Sequence, residues 1–355
     1  MSKKDKKYFR RELTPQFMEA AKRRKPGSLL ESLLSATEYV RQNILLPGSK
    51  NLDSITIERK DNGDQRNSDA KTLTIQTDRE CEAEMARLLT KLYPEALLIS
   101  EEKFGASTSE EKRAVLDEAL KTDKLVILTD PLDATRDFRG GGDGYAVMVA
   151  VVQNGALKAA VAHRCTDHAD PAGFGHTLTF EQGDGVRRDG RLIAPLSERS
   201  FSGDPKQLRG YAGFEFIEPM RRAPGAPETG FPNLLGKFDS LSDLWTCSKL
   251  YDDLITGQHH FMLVPPPCDI FDYPAGIALI KEAGGVVKFL DGTDATFAEV
   301  VRRQAFFGKE EDAKSIHNTL VFAVSENVFA AVQKTVYEAA GITPVTKTTP
   351  SGPTL

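Results

Sequence analysis

Acidic residues stand at the ends of apolar runs at three places in this 355-residue chain. Glu101-Glu102 follow Ala96-Leu-Leu-Ile-Ser100, and Asp130-Pro-Leu-Asp133 follow Leu125-Val-Ile-Leu-Thr129. Asp272 heads the segment Asp272-Tyr-Pro-Ala-Gly-Ile-Ala-Leu-Ile-Lys-Glu-Ala-Gly-Gly285. Each has an ordinary reading by itself, because Asp is a good helix N-cap and acids after strands often sit in solvated turns. Clustered, the same carboxylates would repel one another unless hard cations neutralised them, and oxygen-only ligands favour Mg²⁺ over zinc. The backbone carbonyl of Leu132, in a Pro-containing turn, offers one more hard oxygen. His163, His168 and His176 are spaced too loosely for a zinc site and read as ordinary surface or hairpin histidines. Two cations about 4 Å apart can stabilise charge on both the attacking and the leaving oxygen of an in-line displacement at phosphorus.

Strands that end in acids and lead into helices must position these groups. A first helix opens at Ser28, where Ser28-Leu-Leu-Glu31 fits a capping box and Leu29, Leu30, Leu33, Leu34, Val40 and Ile44 keep helical spacing, and it is expected to close before Pro47. After a polar stretch near 61–69 that reads as a hairpin loop, Leu73–Thr77 alternates as a strand into a second capping box, Thr77-Asp78-Arg79-Glu80, and a helix to about Leu92. Residues 106–124 read as an exposed helix or insertion. The strand Leu125–Thr129 is expected to stop at Asp130-Pro131, because proline cannot donate the next ladder bond. Asn154-Gly155 is a strong hairpin signal between Tyr145–Val152 and Ala156–Ala162, and Asp184-Gly185 and Asp189-Gly190 mark further turns, so an antiparallel sheet is expected here. The second half alternates helices near 240–256, 273–283 and 325–340 with strands near 260–264, 286–290 and 319–324. The Pro-, Gly- and Arg-rich stretch 218–232 reads as a loop. The expected organisation is a basic extension 1–27, an α+β domain 28–195 carrying the metal site, an α/β domain 196–343 and a tail 344–355.

Composition narrows the classes. The longest apolar stretch is Ala146–Val152, far short of the roughly 20 residues of a membrane-spanning helix. Four cysteines without CxxC spacing, and no apolar region after the initial Met, suggest neither a disulfide scaffold nor a secreted precursor, so a cytoplasmic location is expected. Residues 1–25 carry a charge of +7 and the remainder −12. The tail reads as a solvated extension, and an acidic body disfavours a broad nucleic-acid surface. Gly140-Gly-Gly-Asp-Gly144 lacks the Gly-Lys-(Ser/Thr) of a phosphate loop and reads as a flexible hairpin entry.

Asp130-Pro-Leu-Asp-Ala-Thr135 resembles the Asp-Pro-(Ile/Leu)-Asp-Gly-(Thr/Ser) motif of the inositol monophosphatase family, lithium-sensitive Mg²⁺-dependent phosphatases that include bisphosphate nucleotidases and fructose bisphosphatase. Phe271-Asp272, with Glu282-Ala-Gly-Gly285 ten residues on, resembles that family's second signature. Ile99-Ser-Glu-Glu102 resembles its Gly-Glu-Glu metal site, and Thr74-Ile-Gln-Thr-Asp78 its Thr-x-x-Asp strand end. The order and rough spacing agree from about Ser28 to Gly341. Three positions depart from the pattern: Ala134 replaces Gly, Phe271 replaces Trp, and Pro265 stands where inositol-selective members carry a substrate-binding acid. Asp269 is a decoy, since only Asp272 keeps the spacing to Glu282.

The resemblance implies a layered αβαβα sandwich in which Glu101, Asp130 and the Leu132 carbonyl hold one Mg²⁺ while Asp130, Asp133 and Asp272 hold a second. Glu101 would reach a third, weaker ion. Thr135, with Glu101 and Asp78, would orient the metal-activated water. The backbone N–H groups of Ala134 and Thr135, with Asp133 and Asp272, would bind substrate. The expected activity is hydrolysis of a small phosphate monoester, an inositol or sugar phosphate, by a cytoplasmic homodimer with no nucleic-acid or membrane partner. The alternatives are a nucleotidase acting on 3'-phosphoadenosine 5'-phosphate and a non-catalytic phospholigand-binding protein. Lys249, Arg136 and Arg139 are candidates for a second phosphate.

Overall fold

The computed structural model describes residues 28–52, 57–59, 73–167, 175–217, 232–243, 246–266, 270–271, 273–305 and 315–342. The basic extension, the 61–69 loop, His168, most of the 218–232 stretch, Asp269, Asp272 and the tail lie outside them. Helix α1 (Leu29–Val40) starts where Ser28 Oγ accepts from the Glu31 amide at 3.1 Å. It does not close before Pro47. A π turn over Arg41–Leu45 leads into a last α-helical turn over Leu46–Ser49, so that the i−4 ladder which the proline ring would break is already replaced. Strands β1 (Ile57–Arg59) and β2 (Leu73–Ile75) form an antiparallel pair. Helix α2 (Gln76–Leu92) follows directly, which places Thr77 inside the helix and not at its cap.

Seven strands make the first sheet: β3 (Leu97–Ser100), β4 (Val126–Asp133), β5 (Ala146–Gln153), β6 (Ala156–Arg164), β7 (Thr177–Glu181), β8 (Gly185–Arg188) and β9 (Arg191–Leu192), paired in that order. Only β3 and β4 run parallel; the other neighbours are antiparallel. Asn154 and Gly155 both take positive φ, as a tight hairpin turn requires. Contrary to expectation, β4 runs through Pro131 to Asp133, because its register against β5 shifts between Asp130 and Asp133 and no ladder bond is asked of the proline.

Between β3 and β4 lie α3 (Glu101–Ala106) and α4 (Ser109–Lys121), and α5 (Thr135–Arg139) follows β4. The second sheet holds β10 (Arg209–Ala212), β11 (Ser240–Asp243), β12 (Phe261–Val264), β13 (Val286–Phe289) and β14 (Leu320–Ala323) in the order β11-β10-β12-β14-β13. Residues 240–243 are thus a strand, and the helix expected to begin there is α6 (Cys247–Thr256). Helices α7 (Tyr273–Glu282) and α8 (Glu326–Ala340) complete the order of elements used below.

Strand alternation sorts the core into layers. Ile127, Val147, Val149, Val151 and Val161 pack with α1 and α2, while Val126, Leu128, Met148, Ala150 and Ala160 face a larger core shared with α6, α7, the second sheet and α8. Helices, sheet, helices, sheet, helix is the αβαβα sandwich. No helix among the described residues is long and apolar enough to cross a membrane.

With both faces of the first sheet covered, His163 on β6 is buried, not superficial. Burial, assisted by the positive charge of Arg41, lowers its pKa to about 3. The unfolded chain takes up this proton below about pH 6.5, so this contribution to stability is present above that pH and is lost as pH falls toward 3. By pH 5 the loss is about 2 kcal/mol. Urea unfolding at pH 7.5 and pH 5 is expected to show that extra loss in the parent and not in His163→Gln; equal losses would refute the assignment.

Helix α7 meets α6 where a Cβ on Gly276 would lie 2.0 Å from the Tyr251 ring, whereas a Cβ on Gly105 in α3 would meet nothing within 4 Å. Gly276→Ala is therefore expected to destabilise by about 1–3 kcal/mol or more, and Gly105→Ala to stabilise by about 0.5–1 kcal/mol, both by urea unfolding.

Candidate active site

The parallel pair sets the geometry. Ser100 is the register partner of Thr129, so Glu101 and Asp130 are the residues next beyond the last β3–β4 pair, at the same end of the two parallel strands. Asp130 is buried, and its Oδ1 accepts from the Leu132 amide at 2.9 Å, closing the segment that has left the β5 ladder. Thr135 opens α5 and donates its hydroxyl to Asp78 Oδ1 at 2.8 Å, with the Leu132 carbonyl at 3.2 Å. Asp78 is buried in the first turn of α2. A hydroxyl has one proton, and the shorter, charged acceptor takes it, leaving Thr135 Oγ1 as an acceptor toward the site.

Asp133 is held from the other side of the sandwich. Its Oδ2 accepts from the Cys247 amide at 3.1 Å, and the Ser248 and Ala134 amides also point at it. Even so its pKa is pushed up to about 7, first by burial and further by the charge of Glu101. That is the behaviour of carboxylates brought together without a counter-charge. Among the described residues no three His, Cys, Asp or Glu side chains converge closely enough to hold a metal ion; the expected set includes Asp272, which lies outside them. Its neighbour Phe271 meets Phe104 edge to face, with ring centroids 5.3 Å apart, and Phe104 follows Glu101 by three residues on α3. The donor set is oxygen throughout, and the residues present fit a hard divalent cation such as Mg²⁺.

Ala134 takes φ 64° and ψ 47°, the left-handed conformation for which glycine is favoured, so this turn keeps its shape at the cost of strain. Of the second-phosphate candidates, Lys249 is engaged by Asp253 Oδ2 at 2.6 Å, and Arg136 and Arg139 stand on the exposed side of α5. Asp137 accepts from the Gly144 amide and so clamps the glycine run as the entry to β5. Two groups escape a reading of the sequence. The first turn of α6 supplies two of the Asp133 amides, and there the buried hydroxyls of Thr246 and Ser248 have no hydrogen-bond partner among the described residues. Glu82 accepts from Ser100 Oγ and the Glu102 and Lys103 amides around Glu101. Its one signal in the sequence is its place four residues after Asp78, on the same helix face.

The sequence profile of the inositol monophosphatase family matches residues 42–327. The chain belongs to that family. It is 26% identical over 227 residues to a fructose-1,6-bisphosphatase/inositol-1-monophosphatase of Thermotoga maritima, covering 63% of this chain and 74% of that one. The extragenic suppressor protein suhB of Bartonella henselae superposes with a TM-score of 0.62 at 16% identity, over 87% of this chain and 98% of that chain. The inositol monophosphate-bound SaIMPase-II superposes at 0.59 and 14% identity, over 87% and 94%. The family places this chain among phosphatases of the inositol monophosphatase superfamily.

Relief of the strain at position 134 is measurable. An alanine in the left-handed region costs roughly 1–2 kcal/mol, and glycine returns part of this through its freer unfolded state, about 0.5–1 kcal/mol. Ala134→Gly is expected to leave stability unchanged or raise it by up to about 1 kcal/mol in urea unfolding; a clear loss would show that the turn is not strained.

Proposed function

We propose that this member of the inositol monophosphatase family is a Mg²⁺-dependent hydrolase of small phosphate monoesters, with an inositol or sugar phosphate as substrate. The observation that carries the reading is the Thr135–Asp78 hydrogen bond at 2.8 Å beside the buried Asp133, whose carboxylate is repelled by the charge of Glu101. Glu101, Asp130, Asp133, Asp272 and the Leu132 carbonyl would hold the cations. Bound there, the cations would neutralise these acids and stabilise charge on the attacking and leaving oxygens. The chain's own groups do the rest. Thr135 accepts a hydrogen bond from the attacking water, because its own proton is committed to Asp78, and Glu101 takes part in orienting that water. The amides of Ala134 and Thr135 would bind phosphate oxygens, the Ala134 amide turning from Asp133 to do so, and Asp133 and Asp272 would complete the substrate contacts. The proposal extends to a cytoplasmic homodimer.

One departure favours a second reading. Pro265, just after β12, is buried and offers no carboxylate to a polyol, which favours a nucleotide such as 3'-phosphoadenosine 5'-phosphate over an inositol ring.

Phosphate release from inositol 1-phosphate, fructose 1,6-bisphosphate and 3'-phosphoadenosine 5'-phosphate, with and without Mg²⁺, is the test. Turnover that needs Mg²⁺ is expected, with inhibition by millimolar Li⁺. Asp130→Asn is expected to abolish it, and Thr135→Ala and Asp78→Asn to lower kcat by about 10²–10⁴-fold. Absence of turnover on every ester would favour a phospholigand-binding protein, and full activity in Asp130→Asn would remove the metal role.

A further inference from the structure

Glu82 has no ligand or substrate role above, yet three donors converge on its carboxylate. Oε1 accepts from Ser100 Oγ at 2.7 Å and from the Lys103 amide at 3.0 Å, and Oε2 accepts from the Glu102 amide at 2.8 Å. These donors bracket Glu101. Helix α3 has Ser100 as its N-cap residue and Glu101, Glu102 and Lys103 as its first three positions. The amides of the second and third positions are the ones an N-cap side chain ordinarily satisfies. Ser100 makes no such bond; its hydroxyl is turned onto Glu82 instead. The cap of α3 therefore comes from α2, as a charged acceptor whose hydrogen bonds are stronger than those of a hydroxyl.

The same stretch of α2 does a second job. Asp78, one turn before Glu82 and on the same face, accepts the Thr135 hydroxyl. A single rigid helix thus fixes both the hydroxyl that orients water and the turn on which Glu101 stands. Helix α3 has only six residues, too few to hold its shape by intrinsic propensity, so its first turn depends on this cap.

We propose that Glu82 is a positioning residue: it fixes Glu101 for a divalent cation and sets that ligand in register with the Asp78–Thr135 pair. The inference rests on the metal-dependent reading of the site. Groups that hold a metal ligand in place typically contribute about 10–100-fold in metal affinity.

The test is calorimetric titration of the full chain with Mg²⁺, alongside amide hydrogen exchange at Glu102 and Lys103. Glu82→Ala is expected to weaken Mg²⁺ binding by about 10-fold or more and to speed exchange at both amides. Glu82→Gln, which keeps one carbonyl acceptor, is expected to fall between Glu82→Ala and the parent. In a Glu101→Ala background the Glu82→Ala change should alter affinity by less than about 2-fold, because Glu82 acts through Glu101. Parent-like affinity in Glu82→Ala, or the same fold loss with and without Glu101, overturns the proposal. Should Glu82→Ala fail to fold, Glu82→Gln takes its place in both backgrounds, and parent-like affinity and exchange in that variant overturn it equally. If the parent itself takes up no Mg²⁺, the metal-dependent reading fails, and this proposal with it.

Discussion

Asp133 has only 7% of its surface exposed, and backbone amides of Ser248, Cys247 and Ala134 direct their positive ends at it. Those donors pull its pKa down, while burial and the charge of Glu101 push it up, and the upward influences win. Magnitudes explain the outcome. Helix-terminal amides contribute about 0.3–2 kcal/mol to a nearby anion, whereas enclosing a carboxylate costs several kcal/mol even after relaxation. Backbone alone therefore does not bring its pKa back to the ordinary carboxylate range. A divalent cation can, because an opposite charge within a few ångströms reverses both unfavourable influences at once.

The fold has to present such acids without letting them escape to solvent, and β4 shows how. Pro131 lacks an N–H and lies between Asp130 and Asp133, where the register against β5 slips. In the segment released from the ladder the Leu132 amide turns to Asp130, and the Leu132 carbonyl faces Thr135 Oγ1 at 3.2 Å. One irregularity at the end of a fully buried strand thus gathers two carboxylates, a carbonyl and the start of α5 into one short stretch of chain. Parallel pairing with β3 adds Glu101 at the neighbouring strand end.

Much of this was legible in the sequence, for reasons that differ from residue to residue. The acids announced themselves because they follow apolar runs, and Asn154-Gly155 fixed its hairpin because both residues tolerate positive φ. Pro47 and Pro131 misled as stop signals: the rule is local, whereas a π turn and a register shift are accommodations made with neighbouring residues and strands. Strand β10 went unread because it is short, and its Gly210 offers no side chain where the Phe261 ring presses on the backbone. His163 escaped because a sheet covered on both faces does not alternate between buried and exposed. Glu82 was invisible for a simpler reason. Its partners lie 18 to 21 positions away, and nothing in a run of helix-forming charges says that one of them turns inward.

The costs of the arrangement are concentrated at this one edge. Ala134 is strained, Asp133 is an enclosed acid, and the Thr246 and Ser248 hydroxyls are buried without hydrogen-bond partners among the described residues. The two cores behind them are apolar and continuous, and their burial offsets what the edge gives up. Such a site is poised to couple ligand binding to stability. A cation or phosphate that binds only the folded chain adds stability in proportion to the logarithm of its saturation, about 2.7 kcal/mol at one hundred times its dissociation constant. That gain exceeds the roughly 1–2 kcal/mol expected for the strained turn. A ligand bound at that level would therefore more than offset the strain at Ala134.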